Sequence, residues 1–401
     1  MENICKSPHP LLKMAEIEGR GRGLVSTQPL KPGQVILKDS PLLLYSASPL
    51  VTSNQQHKNT FCSNCYRVIL QSPVSCPWCT SSFFCTSNCQ SIALSSSHTP
   101  WICQSLNHLR NSLSSHNLIV DQQIQARFLI SAYNLAVVSP SSFRVLLSLQ
   151  GDPSFVSEKD VLLLHSLVAT CPSANLGEFG FSKELTAALL AKDKVNAFGL
   201  MEPFAPDRER GVRAYGIYPM ASFFNHDCLP NACRFEYVDT DVNNRSNTDI
   251  IVRVIHDVPE GREICLSYFP VNFKYSERQQ RLKEDYGFTC NCDRCVVEAN
   301  WSDQEDDAMD KDGEESEEEE DEEMEEDVDV DNEVNVNGEM EERDQDFPHA
   351  YFFLRYMCNR ENCWGTLAPL PPDASPSTVM ECNVCGNLSK SDELMVGAGD
   401  H

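Results

Sequence analysis

Apolar and polar positions change rhythm several times along this chain. From about residue 14 to 50, short apolar runs around Val25 and Val35–Leu37 are separated by turn chemistry: a glycine- and arginine-rich stretch at Gly19–Gly23, and Pro32-Gly33 after Leu30. That punctuation predicts a β-rich entry segment. From about 121 to 200 the period lengthens. Ile124, Phe128, Ala132 and Leu135 recur every three or four positions, and Ser157 with Asp160 forms a capping pattern ahead of the apolar run Val161–Ala169, so helices are expected. Glycine and proline return from about 211 to 270, where Ile250–Val254 is the clearest strand. Ser276 with Gln279 predicts a short helix leading to Tyr286. Strands flanking a helical block read as an α+β fold. Residues 61–103 have too few large apolar side chains for a core of their own, and beyond the cysteine pairs there is no internal repeat.

Charge divides the chain further. The 401 residues are enough for two or three packed units, and the net charge is −27. Residues 303–346 alone carry 26 acidic and 2 basic side chains, which leaves 33 acids and 30 bases for everything else. The acidic stretch holds only isolated Val and Met as apolar residues, so it cannot offset the entropy of ordering and is expected to be disordered. It separates a last zone, 347–401. As a whole the chain repels nucleic acid and membrane, and no direct DNA binding is expected; its near-neutral body is free to meet a cationic tail.

Nineteen cysteines then demand an explanation. Met1–Gly23 lacks the apolar core of a signal peptide, and the longest apolar runs, near Leu42–Leu44 and Val161–Ala169, are too short to span a bilayer. A reducing compartment is therefore expected, nuclear and/or cytoplasmic, where paired cysteines favour metal over disulfides. The first cluster reads Cys62-x2-Cys65-x10-Cys76-x2-Cys79-x5-Cys85-x3-Cys89-x8-His98-x4-Cys103, eight ligands and so two zinc ions. A redox dithiol is the alternative for any single C-x-x-C, but no βαβ context accompanies these pairs. Metal binding would supply most of the folding free energy of so small a stretch. Cys290, Cys292 and Cys295 are one ligand short, and Cys228 is the candidate fourth; an iron–sulfur site would want longer C-x2-C runs. Cys358, Cys363, Cys382 and Cys385 make a self-contained four-ligand ribbon. Cys5, Cys171, Cys233 and Cys265 read as buried or free thiols.

Two further motifs, Asn225-His226-Asp227-Cys228-Leu229-Pro230-Asn231 and Gly261-Arg262-Glu263-Ile264-Cys265-Leu266-Ser267-Tyr268, closely resemble the two core motifs of the SET domain. Arg20-Gly21-Arg22-Gly23-Leu24 is similar to that domain's N-terminal motif, and Tyr286-Gly287-Phe288-Thr289-Cys290 to its post-SET end. The first cysteine cluster resembles the MYND zinc finger, with the difference that four residues rather than three separate His98 from Cys103. That resemblance assigns Cys62, Cys65, Cys85 and Cys89 to one ion and Cys76, Cys79, His98 and Cys103 to the other. A MYND finger inserted in a SET domain is the arrangement of the SMYD group. The implied organisation is an N-terminal part of SET (14–60), MYND finger (61–103), helical insert (104–195), core SET (196–275), post-SET zinc region (276–300), acidic segment (301–346) and zinc-ribbon-like end (347–401).

What the resemblance implies is methyl transfer from S-adenosylmethionine to protein lysine. The lysine must lose a proton from a pKa of about 10.4, and an apolar channel beside a sulfonium pushes that value down without a strong base. Tyr268 takes the place of the family's catalytic tyrosine, and Asn225 and His226 that of its cofactor-contacting pair. Gly21 and Gly23 would let backbone approach the cofactor; Arg20 and Arg22 would contact it or lie in a solvated loop. Asn196 and Phe288 match cofactor positions, Phe198 and Tyr286 the lysine channel, with core packing the alternative for the last aromatic pair, Tyr286 and Phe288. Three zinc ions, and a fourth at the C-terminal ribbon, complete the cofactors. Expected partners are a lysine-rich protein tail such as a histone and a proline-rich peptide at the MYND finger, with the chain a monomer. Only 106 residues follow Cys295, which leaves no room for the helical C-terminal domain common in SMYD proteins. The rival is a catalytically weak MYND scaffold that recruits chromatin factors, and non-histone lysines are a second enzymatic reading. The acidic segment is either a spacer or a tether for basic tails. If it tethers, versions with and without residues 303–346 will differ in histone-tail affinity at low salt and converge at high salt in a binding titration; equal affinities at low salt leave the spacer.

Overall fold

In the computed structural model of this chain, residues 10–51, 60–79, 81–113, 118–172, 175–208, 210–239, 247–300, 350–372 and 377–390 are described. Cys5 and the acidic segment lie outside them. The chain opens on a hairpin of β1 (Leu12–Ile17) and β2 (Gly21–Ser26), then β3 (Val35–Asp39) and β4 (Leu43–Ser46). The cysteine-dense stretch holds the small hairpin β5 (Val74–Ser75) and β6 (Phe83–Phe84) with α1 (Ser87–Ser95), and leads into α2 (Pro100–Leu113). Next come α3 (Val120–Val138), α4 (Pro140–Ser148), α5 (Glu158–Ala169) and α6 (Lys183–Asn196). Strands return as β7 (Ala197–Met201), β8 (Val212–Ile217), β9 (Asn225–His226), β10 (Ala232–Glu236), β11 (Ile250–Val254) and β12 (Cys265–Leu266). After α7 (Tyr275–Arg281), a π-helical turn at Leu282–Tyr286 and α8 (293–300), the last described unit is α9 (Ala350–Tyr356) with β13 (Leu367–Pro369), β14 (Val379–Cys382) and β15 (Leu388–Lys390).

Two three-stranded sheets, β10-β11-β3 and β4-β8-β7, form the β body, each joining a strand from before the insert to strands from after it. Such pairing is sensible only if the insert loops out and returns. The mixed helix-and-sheet character agrees with the sequence reading. Helix α3 is buried beyond its predicted stripe: Phe128, Ala132 and Leu135 are inside, and so are Leu129, Ile130 and Tyr133, because α2, α4, α5, α6 and β4 all pack around it. Ser157 caps α5 by accepting from the Asp160 N–H (3.3 Å). At α7 the expected start shifts: Lys274 is the cap residue, its N–H held by the Glu277 carboxylate (3.0 Å), and Ser276 falls inside the first turn. A carboxylate is the stronger acceptor for an orphan helix N–H, which decides between the two registers. Helix α1 has no counterpart in the sequence reading, since serines and cysteines thin its apolar residues, and α2 begins four residues ahead of the expected helical insert.

The C-terminal unit shares a core with the sheet. Phe352, Tyr356, Leu367 and Met380 pack with Cys233, Phe235, Ile255 and Val271. Arg253, only 1% exposed, stacks on the Phe235 ring at 3.5 Å and pairs with Glu381 across the junction (2.6 Å), while the Tyr237 hydroxyl donates to the same carboxylate (2.9 Å). A guanidinium desolvated this far is stable only with such partners.

Deeper in the body, the Tyr45 hydroxyl donates to the buried Asp193 carboxyl at the β4–α6 contact. Burial pushes the Asp193 pKa up to about 7, against the opposing effect of the Tyr45 bond. A carboxyl whose folded pKa lies above its unfolded value of about 3.9 contributes stability that is complete below about pH 4 and is lost as pH rises through about 7. Asp193→Asn keeps an acceptor for Tyr45 and removes the titration. Its stability relative to the parent should therefore rise by roughly 2–3 kcal/mol between pH 5 and pH 8, read from urea midpoints at the two pH values; a constant difference would refute the assignment.

Candidate active site and metal centres

Two short segments far apart in sequence run side by side in the middle of the molecule. Strands β9 and β12 pair in parallel, Asn225 beside Cys265 and His226 beside Leu266, and the Asp227 N–H continues the ladder to the Leu266 carbonyl (3.0 Å). Asn231 fastens them: its Oδ1 accepts the Cys265 N–H (2.9 Å) and its Nδ2 donates to the Glu263 carbonyl (2.8 Å). Glu263 is the hub of the polar network. One carboxylate oxygen accepts from Asn225 Nδ2 (2.8 Å), the other from Arg20 Nη1 (2.7 Å), and Arg20 Nη2 also donates to the His226 carbonyl. The N-terminal turn is thereby clamped to both core segments. Gly21 takes the left-handed conformation there (φ +74°), which favours glycine, and a Cβ at Gly23 would sit 2.9 Å from Asn225 Nδ2 and Glu263 Oε1 and push apart the two side chains that bond each other. Neither Glu263 nor Asn231 carries a role in the sequence reading; Asn231 is a lone amide in a largely apolar run, while Glu263 follows Glu260 and Arg262 and reads as one more surface charge.

Tyr268 follows β12 directly. Its N–H donates to His226 Nδ1 (3.2 Å) and its hydroxyl to the Phe224 carbonyl (2.9 Å), which leaves a lone pair of that oxygen to receive another donor. Burial pushes the Tyr268 hydroxyl pKa well above its ordinary value, so it stays protonated at neutral pH. The His226 ring is 1% exposed, and burial pushes its pKa down to about 3. With Nδ1 accepting, the ring proton sits on Nε2 and points at Cys228 Sγ (3.3 Å). Tyr286 lies 4.8 Å from Tyr268 between ring centroids, and Phe288 is 6.4 Å from Tyr286 and 6.5 Å from His226. Phe288 is 38% exposed, a partly uncovered aromatic ring next to the His226 ring.

Other residues singled out by sequence lie near this centre with their polar atoms engaged elsewhere. Asn196 is buried and spends both amide hydrogens on the carbonyls of Gln150 and Lys192 (2.8 Å each). Arg22 donates to the Ser148 carbonyl (2.9 Å) and lies over the Phe223 ring (4.9 Å). Both bond to backbone carbonyls of the 148–150 segment. Phe198 meets Tyr218 edge-on (5.6 Å), and Arg234 lies over its ring (5.3 Å).

The cysteines converge into four groups whose ligand atoms lie within 4.8 Å of one another: Cys62, Cys65, Cys85 and Cys89; Cys76, Cys79, His98 and Cys103; Cys228, Cys290, Cys292 and Cys295; Cys358, Cys363, Cys382 and Cys385. A tetrahedral zinc with bonds of about 2.3 Å requires sulfur–sulfur edges of about 3.8 Å. The separations are 3.7 Å for Cys65–Cys85, 3.9 Å for Cys76–Cys103, 3.5 Å for Cys228–Cys295 and 3.6 Å for Cys363–Cys382. The donor sets fit zinc on this count. Around the third group the fully buried Arg278 donates to Cys295 Sγ (3.7 Å) and pairs with Glu298 (2.5 Å), so a cation faces the excess negative charge of four thiolates. Cys228→Ser removes the ligand that joins the 290–295 loop to the β9 segment. The variant should lose one equivalent of zinc by atomic emission and expose the 275–300 region to protease, while the parent keeps both properties; unchanged zinc content and protease resistance would sink the linkage.

Residues 21–269 match the family model described as the SET domain. The chain is 55% identical to a protein named histone-lysine N-methyltransferase ASHR2 from Arabidopsis thaliana, over 97% of this chain and 98% of that protein. It is 23% identical to one named histone-lysine N-methyltransferase SMYD3 from Homo sapiens, over 70% of this chain and 60% of that protein. Among solved structures, the SET domain of LSMT bound to lysine and AdoHcy aligns with a TM-score of 0.33 at 15% identity, covering 71% of this chain and 54% of that one.

Proposed function

This chain belongs to the SET-domain family, and from that premise we propose that it transfers a methyl group from S-adenosylmethionine to the ε-amine of a lysine in a protein, with a histone tail as its substrate. The observation that carries the reading is the convergence of Tyr268, Tyr286 and Phe288 around His226, at the one place where β9 and β12 run together. S-adenosylmethionine, when bound, supplies the methyl group and a sulfonium charge. The residues present suit it: the partly uncovered Phe288 ring offers a stacking surface for adenine, and the turn at Arg20–Gly23 brings backbone to the same side as Asn225. Tyr268 holds a neutral hydroxyl fixed by the Phe224 carbonyl, a polar group that can orient an amine without charging the channel. In this reading Phe198 and Tyr286 line the lysine channel and would keep water from the amine, which favours its neutral, nucleophilic form. His226 ties the Tyr268 backbone to Cys228, so metal in the third centre would support the geometry of the reacting end.

The same reading makes 61–103 a MYND-type finger with two interleaved zinc ions and a surface for proline-rich peptides, and 276–300 a post-SET zinc region. It places a monomer in the nucleus and/or the cytoplasm. Among the described residues no helix is long and apolar enough to cross a membrane. The competing function, a catalytically weak recruiting scaffold, predicts no incorporation beyond that of a tyrosine variant. Full-length protein with tritiated S-adenosylmethionine and either histones or cell extract should incorporate label. Tyr268→Phe, with circular dichroism unchanged, should lower the rate by about 100-fold or more, the scale seen when one positioned donor is removed. Incorporation no greater than that of the variant would favour the scaffold.

A further inference from the structure

A cavity of about 580 Å³ is bordered by β4 and contains none of the aromatic-centre residues in its lining. Its walls come from β4 and the residues after it, from both ends of the cysteine-rich unit, and from helices α2 and α3. Leu44 in its wall is registered opposite Gly216 of β8, which is registered opposite Phe198 of β7, so the cavity and the lysine-channel candidate are two strand widths apart, about 10 Å. Its size falls within the range of small-molecule sites.

Two guanidiniums face this space, Arg110 from α2 and Arg127 from α3. Neither has a carboxylate partner among the described residues. Arg127 donates once, to the Pro49 carbonyl (3.2 Å), and its Nε is sealed from solvent with no acceptor at all. Burial pushes the Arg127 pKa down to about 10, and the neighbouring Arg110 charge adds to that fall. The other charged groups here are spoken for. Asp249 is held by Lys38 and Ser40, and the Cys76/Cys79/His98/Cys103 centre, which with a divalent ion keeps one negative charge, faces Arg110 alone. The remaining walls are rich in small donors, among them Ser63, Asn64 and Ser131. Arg110 therefore has the thiolate centre as its counter-charge, whereas Arg127, half-buried with a sealed Nε, has none, and a desolvated cation of that kind is resolved by pairing or by ligand. Guanidinium forks with hydroxyl and amide donors are the chemistry that suits a tetrahedral oxyanion.

We infer that this cavity is a binding site for a phosphate-type oxyanion, gripped by Arg110 and Arg127. The site is independent of the methyl-transfer centre and would recognise either a free phosphate compound or a phosphorylated side chain presented by a protein.

Titration calorimetry on full-length, zinc-loaded protein, at ionic strength fixed with chloride, tests this with three probes: inorganic phosphate, pyrophosphate, and a phosphoserine peptide beside its unphosphorylated twin. At least one phosphate probe should bind saturably and the unphosphorylated peptide should not. Tighter binding of the phosphopeptide identifies a protein-borne source, and tighter binding of pyrophosphate or phosphate a small-molecule source. Arg127→Gln and Arg110→Gln should each weaken binding about tenfold or more, the effect of losing one charge-assisted partner. Ser131→Asp, which places a negative charge in the wall, should do the same without touching either arginine. Binding of S-adenosylmethionine to these variants should match the parent, which shows that each is folded. Absence of binding by every phosphate probe, or equal binding by all three variants, would overturn the site.

Discussion

The side-by-side run of Asn225–His226 and Cys265–Leu266 is the constraint on which the functional part of this molecule depends. Parallel strands of two residues each have little pairing energy of their own, so the contact persists only because side chains close it from outside. Asn231 bonds the backbone of the second segment, and Glu263 joins Asn225 to Arg20 of the N-terminal turn. Cys228 continues from the first segment into a thiolate group with the 290–295 loop. Asn225, His226 and Tyr268, three of the residues proposed to meet cofactor or lysine, are positioned by these closures.

Metal-type clusters take the place of hydrophobic packing where the chain is poor in apolar residues. In the 61–103 unit the buried core consists of Cys62, Cys76, Phe84, Ala93 and Cys103, too little to hold a fold without the ligand bonds. The third cluster does more than hold its own loop. Through the Cys228–His226–Tyr268 chain of contacts it reaches the backbone of the tyrosine, which couples the ordering of the post-strand helices to the geometry of the aromatic pocket. The C-terminal cluster stabilises a unit whose contact face, Glu381 with Arg253 and Tyr237, is built on the back of the β10–β11 pair.

Arginine recurs as the residue that joins parts across an interface. Arg213 is fully buried and ties β8 to Asp239 (2.7 Å) and to the Tyr66 carbonyl (3.0 Å) of the cysteine-rich unit; Arg278 and Arg294 converge on Glu298 and on the Phe273 carbonyl. Each satisfies several acceptors from one planar group, so a single side chain can fix the relation of two segments that share little apolar area. Arg110 and Arg127 differ from this pattern in that both also line a cavity, and neither has a carboxylate partner among the described residues.

Much of the architecture was legible in local pattern. Period and punctuation located β2, β3, β11, α3 and α5, and ligand spacing alone set apart the C-terminal group of four. The motif around Tyr268 pointed to the centre because its residues are contiguous. What local pattern could not carry was any property created by distant segments meeting. That Asn196 and Arg22 bond to the 148–150 backbone, and that Glu263 and Asn231 hold the crossing, had no local signal; nor had the start of α7, which lies two residues earlier because a carboxylate outcompetes a hydroxyl. The sequence by itself determined the kinds of element, the ligand chemistry and the division of charge, since these depend on composition and short spacing. Only the tertiary structure decided which polar atoms remain free, which cations lack partners and which metal group reaches the tyrosine, because burial and partnership are set by what the rest of the chain brings alongside.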